Sequence, residues 1–347
     1  MSTMDPFYLE LENRFRGSRE LIKERAKIYL PFIEPLKKIH NNFEVLDLGC
    51  GRGEWLELLK DSNFKAKGIS TNEDILVLCR KLQLDVYQAD IIEYLKKLPA
   101  GSLSVISAFH VIEHISFAEL RQLIDEAYRI LAPSGILILE TPNSDNLVVG
   151  ASNFYIDPAN NRPIPAQLLA FIAEYSGFDR VKTLFLNDPT YLVNTKSVKL
   201  IDVLSGASQD YSIVAQKKPT SANIYTLFNE PFGRSYGVSL TFLSQRFDIR
   251  MQQSEIKIQQ MSDEIRQIKA KAQQVETKAQ QIETKAKQVE IKAEQAEIKA
   301  EQAEAKAEQT KAALNVIYSS RSWRITAPLR WIGQQTRMIR QYWAKGE

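Results

Sequence analysis

Between residues 44 and 217, short apolar runs alternate with segments whose apolar positions recur every three or four residues. Val45-Leu46-Asp47-Leu48, Lys65 to Ile69 and Leu103 to Phe109 read as strands, with helices at Trp55 to Leu59, Ile75 to Leu82 and about Phe117 to Leu131. Pro133-Ser134-Gly135 ends the last of these helices, and Ile136-Leu137-Ile138-Leu139-Glu140 follows as another strand. A helix around Gln167 to Tyr175 stops at Gly177; Phe178 to Leu186 and Tyr211 to Ala215 then read as the last two strands. This rhythm belongs to the α/β class: a mostly parallel sheet covered by helices, with an antiparallel strand expected at its edge.

From about Phe247 the pattern changes to a seven-residue repeat of Gln, Glu, Lys and Ala. One apolar seam runs through Phe247, Met261, Ile268, Val275, Ile282 and Val289, and the other through Met251, Ile258, Ile265 and a series of alanines to Leu314. Neither Gly nor Pro interrupts it, and a continuous helix over 247–317 would be about 105 Å long at roughly 1.5 Å per residue. The pattern predicts a coiled coil and hence a homo-oligomer of open strand number. The competing reading is a single solvated helix held by Glu–Lys pairs one turn apart. The tail, Tyr318 to Glu347, interleaves Arg321, Arg324, Arg330, Arg337, Arg340 and Lys345 with Trp323, Trp331, Tyr342 and Trp343. It suits an anionic membrane surface and equally a partner protein. The chain thus divides into an N-terminal helical cap (1–39), an α/β domain (40–217), a linker (218–243), a coiled coil (244–317) and a basic amphipathic tail (318–347).

A chain of 347 residues can bury a sizeable core, and its net charge of +3 says little because the basic residues concentrate at the two ends. Only two cysteines, Cys50 and Cys79, are present and no export signal opens the chain, so a cytoplasmic protein without disulfides is expected. No window is apolar enough to span a membrane, so any membrane contact must be peripheral. Nucleic acid is not an expected partner, because acids dilute the basic residues elsewhere.

The most informative stretch is Glu44-Val45-Leu46-Asp47-Leu48-Gly49-Cys50-Gly51-Arg52-Gly53-Glu54. Here a buried strand meets a turn with glycines spaced G-x-G-x-G, which opens onto a helix. Such a turn lets a nucleoside's sugar and tail approach backbone that a Cβ would block. A dinucleotide fingerprint would need a third glycine at a different spacing. Asp47 and the D-L-G-C-G-x-G pattern resemble the class I methyltransferases instead. The resemblance implies a Rossmann-like sheet and S-adenosyl-L-methionine as cofactor, with Asp47, Gly49, Cys50, Gly51 and Gly53 at the cofactor turn.

In that family the second strand ends in an acid that bonds the cofactor ribose, and Ser70 stands there, with Asn72 or Glu73 placed to compensate. The acid that meets the adenine amino group is matched by Asp90, followed by Ile91, and Asp90 also suits a helix N-cap. After the fourth strand, Ala108-Phe109-His110-Val111-Ile112-Glu113-His114 brings three ionisable groups to the carboxyl edge of the sheet. The resemblance puts Phe109 beside the cofactor, and His110, Glu113 or His114 beside the acceptor, where one would remove its proton. For any one histidine, packing or capping is an equal alternative. H-x-x-E-H also matches an inverted zinc-peptidase signature, but that needs a helix and these residues follow a strand, so no metal is expected.

Gly17-Ser18-Arg19-Glu20 with its neighbours, Glu140-Thr141-Pro142-Asn143, Phe154-Tyr155-Ile156-Asp157-Pro158 and the Ser319 to Arg330 stretch narrow the resemblance. They look like methyltransferases encoded with O-antigen and other bacterial surface polysaccharides. This implies an O-methyltransferase that modifies or terminates a glycan or lipid-linked glycan, Asp157 as a further catalytic candidate, and a glycosyltransferase partner for the tail. With no room for a kinase-like domain, a sugar hydroxyl is the expected acceptor rather than a phosphate. The family usually reads Asp-Pro-Thr-His where this chain has Asp157-Pro158-Ala159-Asn160. Together with Ser70, that departure sustains an alternative: a catalytically weakened scaffold holding a polysaccharide-assembly complex at the membrane.

Overall fold

The computed structural model describes the backbone of residues 14–343 apart from 16, 42, 190, 193, 194 and 196, and side chains as far as residue 341. Arg16, the first part of the N-terminal cap, and Lys345 with the end of the tail lie outside the described residues. Contacts divide the chain into two units, 1–255 and 256–347.

The first unit is built on a seven-stranded sheet in the order β3-β2-β1-β4-β5-β7-β6. The strands are β1 Glu44–Leu48, β2 Lys65–Ser70, β3 Asp85–Gln88, β4 Leu103–Phe109, β5 Leu131–Pro142, β6 Arg180–Leu186 and β7 Asp210–Gln216. All pairings from β3 to β5 are parallel, and β7 runs antiparallel to both β5 and β6, so the β7–β6 pair forms the antiparallel edge. The two faces explain the unbroken apolar runs. Val45, Val105, Ile136, Ile138 and Val214 pack on one side, and Leu46, Leu48, Ile106, Ala108, Leu137, Leu139 and Ile213 on the other. Alternate residues of each central strand therefore enter different layers, and both layers are closed to water.

Ala26, Tyr29, Phe32, Ile33 and Leu36 of the N-terminal segment cover the first face together with Trp55, Leu58 and Leu59 of helix Glu54–Asp61. Helix Phe117–Ile130, which opens with a capping box between Ser116 and Glu119, covers the second face with Leu120, Leu123, Ile124 and Ala127. Helix Ala166–Tyr175 adds Leu169, Ile172 and Ala173 to that layer.

Residues 218–243, expected to be a linker, are packed instead. Phe228 is fully buried in the first layer, and Arg180 lies over the rings of Tyr225 and Phe232 at 3.9 and 4.4 Å. Aromatic residues spaced along this stretch can bury against β6 as a true linker would not, and the long helix begins inside this unit at Leu240, where Leu243 is also buried. β5 likewise starts earlier than Ile136, because Pro133 and Ser134 sit in a strand whose register against β4 shifts between Leu103 and Val105.

In the second unit the helix that started at Leu240 runs on to Ser319, followed by helices Arg321–Ile325 and Ala327–Trp343. Val275, Ile282 and Val289 are each about two-thirds exposed. Ser320 caps the second helix through Trp323 N, and Arg330 stacks on the Trp323 ring at 3.6 Å. Among the described residues no helix is long and apolar enough to cross a membrane.

Candidate active site

The glycine turn leaves the carboxyl end of β1. Gly49, Gly51 and Gly53 all have left-handed backbone, with φ of 68°, 49° and 83°. A Cβ at Gly49 would run into Val111, and one at Gly53 would meet Leu84 Cδ1 at 2.6 Å. The turn is therefore pressed against its own scaffold and leads straight into helix Glu54–Asp61, for which Gly53 is the N-cap. Beneath it a buried chain of hydrogen bonds fixes the end of β1. Trp55 Nε1 donates to Ser107 Oγ (3.0 Å), which donates to Asp47 Oδ1 (2.7 Å). The N-terminal segment latches the same turn from outside: Arg19 Nη1 donates to Arg52 O (2.7 Å), and Arg52 Nη2 to Gly17 O (3.1 Å). Arg52 and Arg19 also meet Glu54, at 2.8 and 3.6 Å. This latch was not foreseen from sequence; the Gly17-Ser18-Arg19 stretch that carried part of the resemblance was its only signal.

The other expected cofactor residues line the same edge. Ser70 ends β2 and accepts a hydrogen bond from Asn72 N (3.1 Å), while Asn72 Oδ1 caps helix Glu73–Lys81 through Asp74 N and Ile75 N. Glu73 is engaged by Arg80, whose ion pair holds its carboxyl below the usual range, so it is not spare to replace a ribose-binding acid. Asp90 follows β3, is exposed, and caps helix Ile91–Lys97 through Glu93 N (3.0 Å), with Ile91 half-buried behind it. Cys50 is buried, and its hydrogen bond with Cys79, its burial and the charge of Asp47 push its thiol up. Phe109 packs on Tyr29 and Trp55, with ring centroids 5.4 and 5.6 Å away.

On the far side of β4 a polar cluster assembles. His110 has φ of 53°, a conformation that costs a non-glycine residue of the order of 1–3 kcal/mol. The bond from His110 N to Glu140 O (3.0 Å) helps hold it there. The ring lies among three carboxylates: Nδ1 is 3.1 Å from Glu113 Oε1, and Nε2 is 3.5 Å from Glu140 Oε1 and 3.9 Å from Asp210 Oδ1. Burial opposes a charge on His110, but the hydrogen bonds to Glu113 and Glu140 and the field of Asp210 outweigh it and push its pKa up to about 10. The imidazole is therefore protonated at neutral pH. Glu113 shows the reverse: burial raises its pKa, yet His110 more than compensates and holds the carboxyl below the usual range. Burial raises the Asp210 carboxyl.

Of the candidate catalytic residues, then, His110 and Glu113 come together, but Glu113 is 1% exposed and serves to hold the ring, helped by Thr141 Oγ1 (3.0 Å). His114 is outside this cluster; its Nδ1 is buried without a hydrogen-bond partner. Asp157 accepts from Ala159 N (2.9 Å) and shapes a turn, and it too lies outside the cluster. Asn160, where the family's histidine is absent, donates to Phe154 O (2.6 Å) and so holds that loop. Glu140 and Asp210, which the sequence reading did not single out as site residues, lie beside His110. Asp210 opens β7 and pairs with Pro142 at the end of β5, so the antiparallel strand delivers a carboxylate from a distant part of the chain. Its sequence signal was faint, an acid at the head of an apolar strand.

Residues 12–182 match a family described as a methyltransferase domain. A SAM-dependent methyltransferase from Archaeoglobus fulgidus of known crystal structure is 33% identical, covers 61% of this chain and 100% of its own, and superposes with a TM-score of 0.55. The chain belongs to the S-adenosylmethionine-dependent methyltransferases. The methyltransferase domain is also 29% identical over 143 residues to a Mycolicibacterium smegmatis protein described as a "probable S-adenosylmethionine-dependent methyltransferase". It is 30% identical over 145 residues to an uncharacterized protein of Methanocaldococcus jannaschii. These matches cover 41% of this chain, and 54% and 57% of the two relatives, so the chain spans little more than half of their length.

S-adenosyl-L-methionine is the cofactor of this family, and the donors present suit it. The left-handed turn exposes backbone at the mouth of β1, the helix starting at Glu54 directs its N-terminus there, and Asp90 offers a carboxylate at the end of β3. Ser70 is the weak member of the set, since a hydroxyl bonds less strongly than a carboxylate. A separate surface cleft lined by Glu44, Lys65 and Asp85 lies at the opposite, amino ends of β1, β2 and β3, away from this chemistry.

Proposed function

We propose that the methyltransferase domain methylates an oxygen, the hydroxyl of a sugar in a bacterial surface polysaccharide such as O-antigen, presented as a glycan or lipid-linked glycan. The observation that carries this reading is the cluster of His110, Glu140 and Asp210, partly exposed at the edge of the sheet where β4 and β5 end. A hydroxyl must lose its proton as it is methylated, and a site rich in carboxylates can accept one. His110 is already protonated, so Glu140 or Asp210 takes the proton while His110 fixes their position. S-adenosylmethionine supplies an already activated methyl group when bound, which leaves alignment as the domain's main contribution to rate. The flanking stretches that resemble polysaccharide-linked methyltransferases support the choice of acceptor.

The second unit suits a place in an assembly complex at the inner face of the inner membrane. The exposed heptad seam favours self-association, and the tail, with Leu329 70% and Trp331 64% exposed among arginines, favours an anionic membrane surface or a glycosyltransferase. A scaffold without methyl transfer is the second reading, favoured by Ser70 and by the engagement of Glu73 with Arg80. Calorimetric titration with S-adenosylmethionine and S-adenosylhomocysteine separates the two. Micromolar binding that Gly51→Arg abolishes, followed by transfer of labelled methyl to lipid-linked glycans, supports the enzyme; no heat from the unaltered protein sinks it in favour of the scaffold.

A further inference from the structure

The cluster at the ends of β4, β5 and β7 has a feature that acid–base chemistry does not require. Each of its three side chains has one polar atom tied outward and the other turned toward its two neighbours. His110 Nδ1 is held by Glu113, which is 1% exposed. Glu140 Oε2 accepts from the buried Tyr29 hydroxyl. Asp210 Oδ2 accepts from Asn187 Nδ2 at 2.6 Å. One ligand atom from each of His110, Glu140 and Asp210 lies within 4.8 Å of the others, and His110 Nε2 is 3.5 Å from Glu140 Oε1 and 3.9 Å from Asp210 Oδ1. Ligands bound at about 2.1 Å to one ion sit roughly 3 to 4 Å apart, and the two separations from His110 Nε2 fall in that range.

The outer bonds are those a metal site uses: a carboxylate on the far nitrogen of the histidine selects the tautomer that points a lone pair inward, and donors on the far carboxylate oxygens fix their orientation. Charge points the same way. Three carboxylates surround the one imidazole, and Arg25 adds only a further field on Asp210. Even a protonated ring leaves the group net negative. The side chains of His110, Glu140 and Asp210 are 29%, 15% and 16% exposed.

We propose that His110 Nε2, Glu140 Oε1 and Asp210 Oδ1 bind a first-row divalent cation, whose open positions take the hydroxyl oxygen of the acceptor. One imidazole with two carboxylates suits Mn²⁺, Fe²⁺ or Zn²⁺ better than Ca²⁺ or a soft ion. His110 then binds as the neutral ring, and the cation replaces its proton as the positive charge of the cluster. The cation also acidifies the bound hydroxyl. With both carboxylates occupied as ligands, the hydroxyl proton passes to water, in place of the direct transfer to Glu140 or Asp210 that the metal-free cluster would make. This site is distinct from the H-x-x-E-H pattern, since Glu113 supports a ligand from behind and His114 takes no part. The inference rests on the reading of this edge as the acceptor side of a methyltransferase, and its test does not need activity.

The full-length protein, stripped with chelator, is titrated with Mn²⁺ alone at neutral pH while the EPR signal of free aqueous Mn²⁺ is followed. One ion per chain is expected to bind. Asp210→Asn and His110→Gln each abolish binding, and Tyr29→Phe weakens it by about tenfold or more because it frees Glu140. Gly51→Arg loses S-adenosylmethionine heat but keeps Mn²⁺, so failure of the cofactor reading and failure of the cation site show up separately. Asp210→Asn that still binds S-adenosylmethionine is folded, and its loss of Mn²⁺ then belongs to the site. No Mn²⁺ or Zn²⁺ bound by the unaltered chain, or binding that survives both ligand substitutions, overturns the proposal.

Discussion

The two units use apolar residues in opposite ways. In the first, the apolar positions of strands and helices are spent against each other: Val105, Ile138, Val214 and Phe228 are fully buried in one continuous layer. In the second, apolar positions recur with equal regularity, yet Val275, Ile282 and Val289 remain about two-thirds exposed in the single chain. A sheet folds its own partners onto itself, whereas one helix of period near 3.6 cannot cover its own stripe. Regular apolar spacing thus specifies a core in one region and a demand for a partner in the other.

Truncation inside the first unit gives the largest effect expected. Phe228→Ala removes a fully buried ring from the packed 218–243 stretch and should cost about 3–5 kcal/mol, read as a fall in the midpoint of domain unfolding. A change near zero would mean that this stretch is not part of the core. Charge placed in the seam tests the other side. Ile282→Asp with Val289→Asp should reduce the mass seen by light scattering to that of one chain, while S-adenosylmethionine binding stays within about twofold, as expected for substitutions in a separate unit. A chain that is monomeric without these substitutions would return the heptads to a solvated helix. Between these two, Ser70→Asp should tighten S-adenosylmethionine by about tenfold, or roughly 1.4 kcal/mol, if the ribose-side acid is what the domain lacks; calorimetry reads this directly.

The smallest effect concerns the seam between the N-terminal segment and the sheet domain. Arg19, then Lys23, holds the Glu57 carboxyl below its ordinary value of 4.5. A depressed carboxyl stabilises the fold above its unfolded pKa and loses that contribution as pH falls through the folded one. Glu57→Gln should therefore cost about 0.5 kcal/mol at neutral pH, given the partial exposure of these groups. The difference from the unaltered protein should vanish in thermal melts taken well below pH 4.5. A difference that persists there would assign the cost to packing instead.

How much of the site was legible depended on how far apart its parts lie in the chain. Asp47, Gly49, Gly51 and Gly53 are contiguous, and their meaning follows from local demands: a strand, left-handed turn positions, and a helix start. Asp90 is similar, since an acid that caps a helix just after a strand is visible in a few residues. His110 and Glu113 could be placed on the correct edge because they follow a strand directly. Their neighbours Glu140 and Asp210, the latch from Gly17 and Arg19 to the glycine turn, and the burial of Phe228 could not be read, because each depends on a pairing across dozens of residues.

The sequence by itself determined the α/β order, the place of the glycine turn and the heptad repeat, because each is written in spacings of two, three or seven residues that the backbone geometry enforces locally. Only the tertiary structure decided which charges meet at the ends of β4 and β5. β7 enters the sheet antiparallel between β5 and β6, so its first residue, Asp210, arrives at the edge where β4 and β5 end with Phe109 and Pro142. Had that strand run parallel, the same residue would lie at the opposite edge. The direction of one strand is fixed by the packing of both sheet faces together, and no local pattern carries it.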